Sequence, residues 1–219
     1  MSKPKSAPEW EFLRWVNVRL IRPEERERFD ALLETEHYLH SARLGGPSLR
    51  YVAEVDGQWV ALITFSGAAP HTKAREQAIG WTPRQRARRL GFVVNNSRFL
   101  VLSEGQRYPN LASRVLALAL KQLNVDWPVH SGHPVVLVES YVDESQYRGT
   151  CYRTCGFAAV GLTAGYGRSS RDYYVEHGQH PLLDAMRKAS REDPAESSPG
   201  GHPPPPGHFL RRRCQGRGE

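Results

Sequence analysis

Val135-Val136-Leu137-Val138, followed by Glu139, Tyr141 and Asp143, opens the stretch from Pro134 to Arg168 around which the whole chain is arranged. The unbroken apolar run reads as a strand buried on both faces. The polar residues then stand where that strand should emerge at its C-terminal end. Tyr147-Arg148-Gly149-Thr150-Cys151-Tyr152-Arg153-Thr154-Cys155-Gly156-Phe157 reads as one short helix closed by a C′ glycine. Ala158 to Tyr166 alternates small apolar and glycine residues, as a returning strand would. Buried strand, polar strand end, short helix, glycine, strand is the order of a domain that keeps its site where its strands end.

Outward from that stretch, Leu49 to Phe65 gives the clearest hairpin. Two runs rich in valine, isoleucine and aromatic residues flank Asp56-Gly57, a pair that tolerates the positive φ angles of a type I′ turn. Phe92 to Leu102 is strand-like but is interrupted by Asn95-Asn96-Ser97, which predicts either a hairpin turn or an irregularity that splays the sheet. Arg22-Pro23-Glu24-Glu25 starts a helix, with proline at its first position and acids in its first turn. Lys73 to Leu90 is an insertion of different character. In it Thr82-Pro83-Arg84-Gln85 fits a capping box, ahead of a helix that carries Arg84, Arg86, Arg88 and Arg89. Pro109 to Leu123 bears two interleaved apolar stripes and predicts a largely buried helix, ended by Asp126-Trp127-Pro128. Glu9 to Leu20 reads as a first strand or a packed arm.

These signals divide the chain into a polar leader at residues 1–8, a folded domain at 9–187, and a tail at 188–219 rich in Pro, Gly, Ser and Arg. The tail has too little apolar surface to offset the entropy of ordering it and is expected to be disordered. Asp172 to Gly178 offers one more strand, whereas Gln179-His180-Pro181-Leu182-Leu183 leaves the final strand unassigned. The 219 residues carry a formal net charge of +7, which favours an anionic partner; solvated surface and a basic tail are the alternative account. No apolar run reaches membrane-spanning length and no signal-peptide core is present. Three cysteines argue against a disulfide framework, so a reducing cytoplasm is the expected compartment.

The run Cys151-Tyr152-Arg153-Thr154-Cys155-Gly156-Phe157 resembles the tyrosine-to-Gly-Phe signature of the GNAT acyltransferase fold. From about Ile21 to Arg168 six blocks in order resemble the DruA family. They are Glu36-His37-Tyr38-Leu39, Leu49-Arg50-Tyr51-Val52-Ala53, Gly80-Trp81, Asn95-Asn96-Ser97-Arg98-Phe99-Leu100, Pro109-Asn110-Leu111-Ala112-Ser113-Arg114-Val115-Leu116 and Tyr147-Arg148-Gly149-Thr150-Cys151-Tyr152-Arg153. The resemblance implies an α/β fold, GNAT-like, with a mixed and mainly antiparallel sheet flanked by helices. It implies a component of a Druantia anti-phage defence or a transposon-associated system, acting on or beside nucleic acid. A GNAT-type acyltransferase using acyl-CoA and a non-catalytic protein-binding scaffold are the alternatives, and enzymatic activity stays undecided at this level.

In the acyltransferase reading Tyr152 is the general acid and Glu139 a strand-end base. A core tyrosine and a carboxylate paired with Arg148 or Arg153 explain the same residues structurally. The phosphate loop of such an enzyme would fall at Arg107-Tyr108-Pro109-Asn110-Leu111-Ala112, with Arg107, Asn110 and Ala112 as its contacts. Asn110 stands where glycine is wanted and Pro109 lacks an N–H, so no cofactor is expected. Arg84, Arg88, Arg98 and Arg148 are the candidate phosphate contacts for nucleic acid. For the α-helical arginines a solvated face beside the acids of Glu24 to Glu34 is the alternative. Cys151 and Cys155 read as small buried thiols, and the His37/His40 and His130/His133 pairs lack an acidic third partner, so no metal site is expected. Other proteins of the same system are the remaining candidate partners; a membrane is not.

Overall fold

The segment read as a first strand or a packed arm divides into a helix that was not expected, α1 (Glu9–Trp15), and a strand, β1 (Asn17–Leu20). A 3₁₀ turn at Pro23–Glu25 feeds α2 (Arg26–Glu36). The hairpin follows as β2 (Ser48–Val55) and β3 (Gln58–Gly67), with φ of 50° at Asp56 and 76° at Gly57. The insertion forms two short helices, α3 (Lys73–Ile79) and α4 (Pro83–Arg89). The capping box is made at α4: the Gln85 N–H donates to Thr82 Oγ1 and the Thr82 N–H donates to Gln85 Oε1. Next come β4 (Val93–Val101), a single turn α5 (Ser103–Gln106) and the long α6 (Leu111–Ser131). The central stretch gives β5 (Leu137–Tyr141), α7 (Thr150–Thr154) and β6 (Ala158–Leu162). Last are β7 (Tyr166–Arg168), β8 (Tyr174–Glu176) and β9 (Pro181–Met186).

The computed structural model describes residues 8–163 in full and, beyond them, the backbone of the last three strands. The leader up to residue 7 and the tail at 188–219 lie outside the described residues. The main sheet has seven strands in the order β1-β2-β3-β4-β5-β9-β6, and β7 pairs with β8 in a separate ribbon. Among the described residues the only parallel pair of this sheet is β4–β5, so it is mixed and mainly antiparallel.

Alternation along the strands sends successive side chains to opposite faces. Tyr51, Ala53, Ile63 and Phe65 meet Leu111, Val115, Leu116, Ala119, Leu123 and Trp127 of α6 on one face. Val52 and Leu62 meet Phe29 and Leu33 of α2 on the other. Each valine, leucine, isoleucine or phenylalanine among them contributes about 1.5–3 kcal/mol when fully buried.

Two expectations are corrected. The helix that begins after Pro109 does not stop at Asp126-Trp127-Pro128 but runs on to Ser131, where Gly132 at φ 75° ends it. Pro128 removes one backbone hydrogen bond from the helix, the one to the Asn124 carbonyl, and fully buried Trp127 anchors that turn to the core. The final strand is also present: β9 lies between β5 and β6, antiparallel to both.

Candidate functional site

The site region is set by an irregularity in β4. Thr64 faces Arg98 and Phe65 faces Asn96, so Ser97 is an extra residue, a bulge. Of the two readings of Asn95-Asn96-Ser97, the irregularity is the one realised. Asn96 repairs the ladder with its own amide, donating from Nδ2 to the carbonyls of Thr64 (2.8 Å) and Arg98 (3.2 Å). The parallel ladder to β5 ends after three pairs, Val93–Leu137, Val94–Val138 and Asn95–Glu139. Beyond them the strands part.

On the α6 face of that split stands Tyr152. Its hydroxyl donates to Asn96 Oδ1 at 2.6 Å, and Ser140 Oγ reaches the Asn96 carbonyl at 3.4 Å. Burial raises the Tyr152 phenol well above its ordinary value, so it stays neutral. The tyrosine is thus brought to the split, as a neutral donor already committed to an acceptor within the chain.

Glu139 faces the other way. Its carboxylate accepts from Arg75 Nη1 at 2.9 and 3.0 Å and from the Tyr141 hydroxyl at 3.2 Å, and both ionic side chains are 0% exposed. Arg75 Nη2 also donates to the Ala69 carbonyl at 2.7 Å. Burial pushes the carboxyl up, while the arginine and the tyrosine pull it back. The partner is therefore Arg75 of α3, neither Arg148 nor Arg153. Arg153 instead lies 3.6 Å from Glu144, and its Nη1 donates to the Arg148 carbonyl at 2.9 Å. Arg75 was missed because nothing in its local sequence distinguishes it from the other arginines of the insertion.

The third feature is the N-terminus of α6, where an acyl-CoA enzyme of this fold would seat a pyrophosphate on free backbone N–H groups. Here that place is taken by the chain itself. Glu9 Oε1 accepts from the Asn110 backbone N–H at 2.7 Å and Glu9 Oε2 from Asn110 Nδ2 at 3.1 Å, across 101 residues of sequence. Phe12 stacks on Tyr108 with centroids 3.8 Å apart, and Arg114 Nε donates to the Leu13 carbonyl at 3.1 Å. Arg107 lies over the Tyr108 ring, 4.9 Å from its centroid, and Ala112 is half-buried in the first turn. A groove of about 490 Å³ remains between α6 and α7, lined by Asn110, Ser113, Arg114 and Cys155 with Leu13 of α1. With a carboxylate on Asn110 and no N–H at Pro109, these residues do not fit a diphosphate. Glu9 could have been flagged only by knowing where α1 docks.

The arginines fall into different environments. Arg84 and Arg88 of α4 are exposed and make no ion pair among the described residues. Arg86 is fixed to Glu76 at 2.9 Å and to His71, rather than to acids of Glu24 to Glu34. Arg98 is half-buried and donates to the carbonyls of Ser41 (2.8 Å), Ser97 (2.7 Å) and Arg43 (3.2 Å). Arg148 is exposed. His37 is buried beside Arg98 and lowered to about 4 by burial first, so its ring is neutral and its Nδ1 accepts from the Leu39 N–H. Burial lifts the Cys151 thiol to about 11 and also raises Cys155. No cluster of metal ligands occurs among the described residues, nor is any of their helices long and apolar enough to cross a membrane.

A mixed sheet opened between β4 and β5, with a helix leading out of the opened strand, defines a GNAT-fold protein. Two solved structures show the same fold. The ribosomal-protein-S18-alanine N-acetyltransferase from Escherichia coli is 10% identical with a TM-score of 0.51, over 80% of this chain and 97% of that one. The aminoglycoside acetyltransferase AAC(6′)-Ib in complex with coenzyme A is 14% identical with a TM-score of 0.50, over 79% and 95%. The family model described as Druantia protein DruA matches residues 5–177, and the chain belongs to the DruA family. No curated protein matches it.

Proposed function

We propose that this DruA-family protein acts on or beside nucleic acid, as a component of an anti-phage or transposon-associated system, without acyl-CoA. The observation that carries the reading is the α4 face. Arg86 is tied to Glu76 at 2.9 Å and so holds the helix in place, while Arg84 and Arg88 stand exposed without a counter-ion among the described residues. Unpaired guanidinium groups on one tethered helix are suited to phosphates. The formal charge of +7 adds long-range attraction to a polyanion.

The acyltransferase reading has the fold in its favour. Against it stand the Glu9 carboxylate on the Asn110 N–H, the Tyr152 hydroxyl committed to Asn96 and the Glu139 carboxylate committed to Arg75. The acid, the base and the cofactor seat that such an enzyme needs all have partners inside the chain.

The test is a salt series of binding measurements on single- and double-stranded DNA and RNA. Each phosphate contact contributes about 0.7–0.9 to the slope of log affinity against log salt. Changing Arg84 and Arg88 together to glutamine should flatten that slope by about two contacts while leaving the melting temperature unchanged. A double variant that keeps the full slope would assign α4 to solvent alone.

A further inference from the structure

Two loops converge over the β4 bulge. In the turn after α2, the His37 and Tyr38 rings stack with centroids 4.6 Å apart and planes at 28°. From the loop between β5 and α7, the Tyr147 ring comes to 5.5 Å from Tyr38, tilted by 55°. Tyr147 is 51% exposed, so its outer face is open to solvent.

The turn is a built structure. The Leu39 N–H donates to His37 Nδ1 at 3.1 Å, the His40 N–H donates to the His37 carbonyl at 2.8 Å, and His40 is held at φ 43°. A left-handed conformation at a non-glycine residue persists only where its surroundings enforce it, and such places gather at ligand sites.

Beside the rings lies Arg98. Its three hydrogen bonds all go to carbonyl oxygens, and it makes no ion pair among the described residues, although the Asp143 carboxylate also acts on the Tyr38 ring. Nη1 and Nη2 each make a single such bond, so each terminal nitrogen keeps an N–H to donate. The charge is half-buried, without an ion pair among the described residues, next to a ladder of aromatic rings. Exposed Arg148 follows Tyr147 directly.

We propose that this loop pair is a stacking site for an unpaired base of single-stranded nucleic acid. The base lies on the open face of Tyr147, and the neighbouring phosphate is drawn to Arg98 and Arg148. The inference rests on the nucleic-acid reading above and deepens it, because a base within a duplex has no free face to offer. A phenol ring accepts the π-face of any base, so the site reads strandedness and not sequence.

Fluorescence anisotropy with a labelled oligothymidylate and a duplex of the same length tests it, on the full chain. Tyr147→Ala should weaken oligothymidylate binding about tenfold, leave the salt slope intact and leave duplex affinity unchanged. Tyr147→Phe should bind like the wild type, since the ring stacks without its hydroxyl. Wild type that binds neither probe at low salt would sink the nucleic-acid reading and this site with it. Binding by wild type that Tyr147→Ala leaves untouched, or weakens equally for both probes, would overturn the stacking site alone.

Discussion

Asn95 and Asn96 are neighbours on β4, as Glu139 and Ser140 are on β5, yet each pair serves opposite faces of the sheet. On one face Glu139 is buried with Arg75, two full charges neutralising one another. On the other, Asn96 and Ser140 gather around the neutral hydroxyl of Tyr152. Both faces fill the opening between the parallel strands with partners from the chain itself. The lesson of the comparison is that the Glu139 carboxylate and the Tyr152 hydroxyl are both committed within the chain, although buried Asn95 Oδ1 and Arg75 Nε have no hydrogen-bond partner among the described residues. Solvent-exposed arginine and aromatic groups stand elsewhere, at α4 and at Tyr147.

The charged face should be the more costly to disturb. Arg75→Met leaves a carboxylate buried without its partner and should lower stability by about 3–5 kcal/mol in chemical denaturation. Adding Glu139→Leu should recover a large part of that loss, because a buried ion pair replaced by apolar groups is close to neutral. If the double variant is as unstable as the single one, the charges matter for something other than their mutual attraction.

The neutral face should yield less. Tyr152→Phe strips Asn96 Oδ1 of its donor in a buried place and should cost about 1–2 kcal/mol. The same variant sharpens the functional contrast: a loss of activity with no loss of stability would return Tyr152 to the role of general acid. The smallest effect belongs to the exposed contact at the start of α6. Glu9→Gln keeps the shape but removes the charge that faces the helix N-terminus, and should cost about 0.5–1 kcal/mol in thermal melts. A melting temperature that does not move at all would mean that α1 is not held there by its carboxylate.

What was legible in the sequence was whatever is decided within a few residues. Asp56-Gly57 dictated its turn and Thr82 and Gln85 their cap, because each depends on backbone geometry close at hand. Val135 to Val138 announced a buried strand, but it begins only at Leu137 and runs on to Tyr141, with Glu139 buried inside it. Tyr152 was placed at the split through the family pattern. The partners were not legible. Arg75 meets Glu139 across 64 residues and Glu9 meets Asn110 across 101, and no periodicity encodes such meetings. The length of α6 was misjudged because Pro128 is a strong local stop signal that the burial of Trp127 overrides. Strand β9 is not assigned from the sequence because its proline start breaks the strand pattern.

That last strand has a consequence for how the molecule is made. It is the latest of the sheet to leave the ribosome, yet its place is an inner one, between β5 and β6. Until residues 181–186 arrive, β5 and β6 each present an unpaired edge, separated by the width of one strand. A nascent chain is therefore most prone to pair with another chain in the interval after β6 and before β9. The sheet closes like a door whose bolt is cast last.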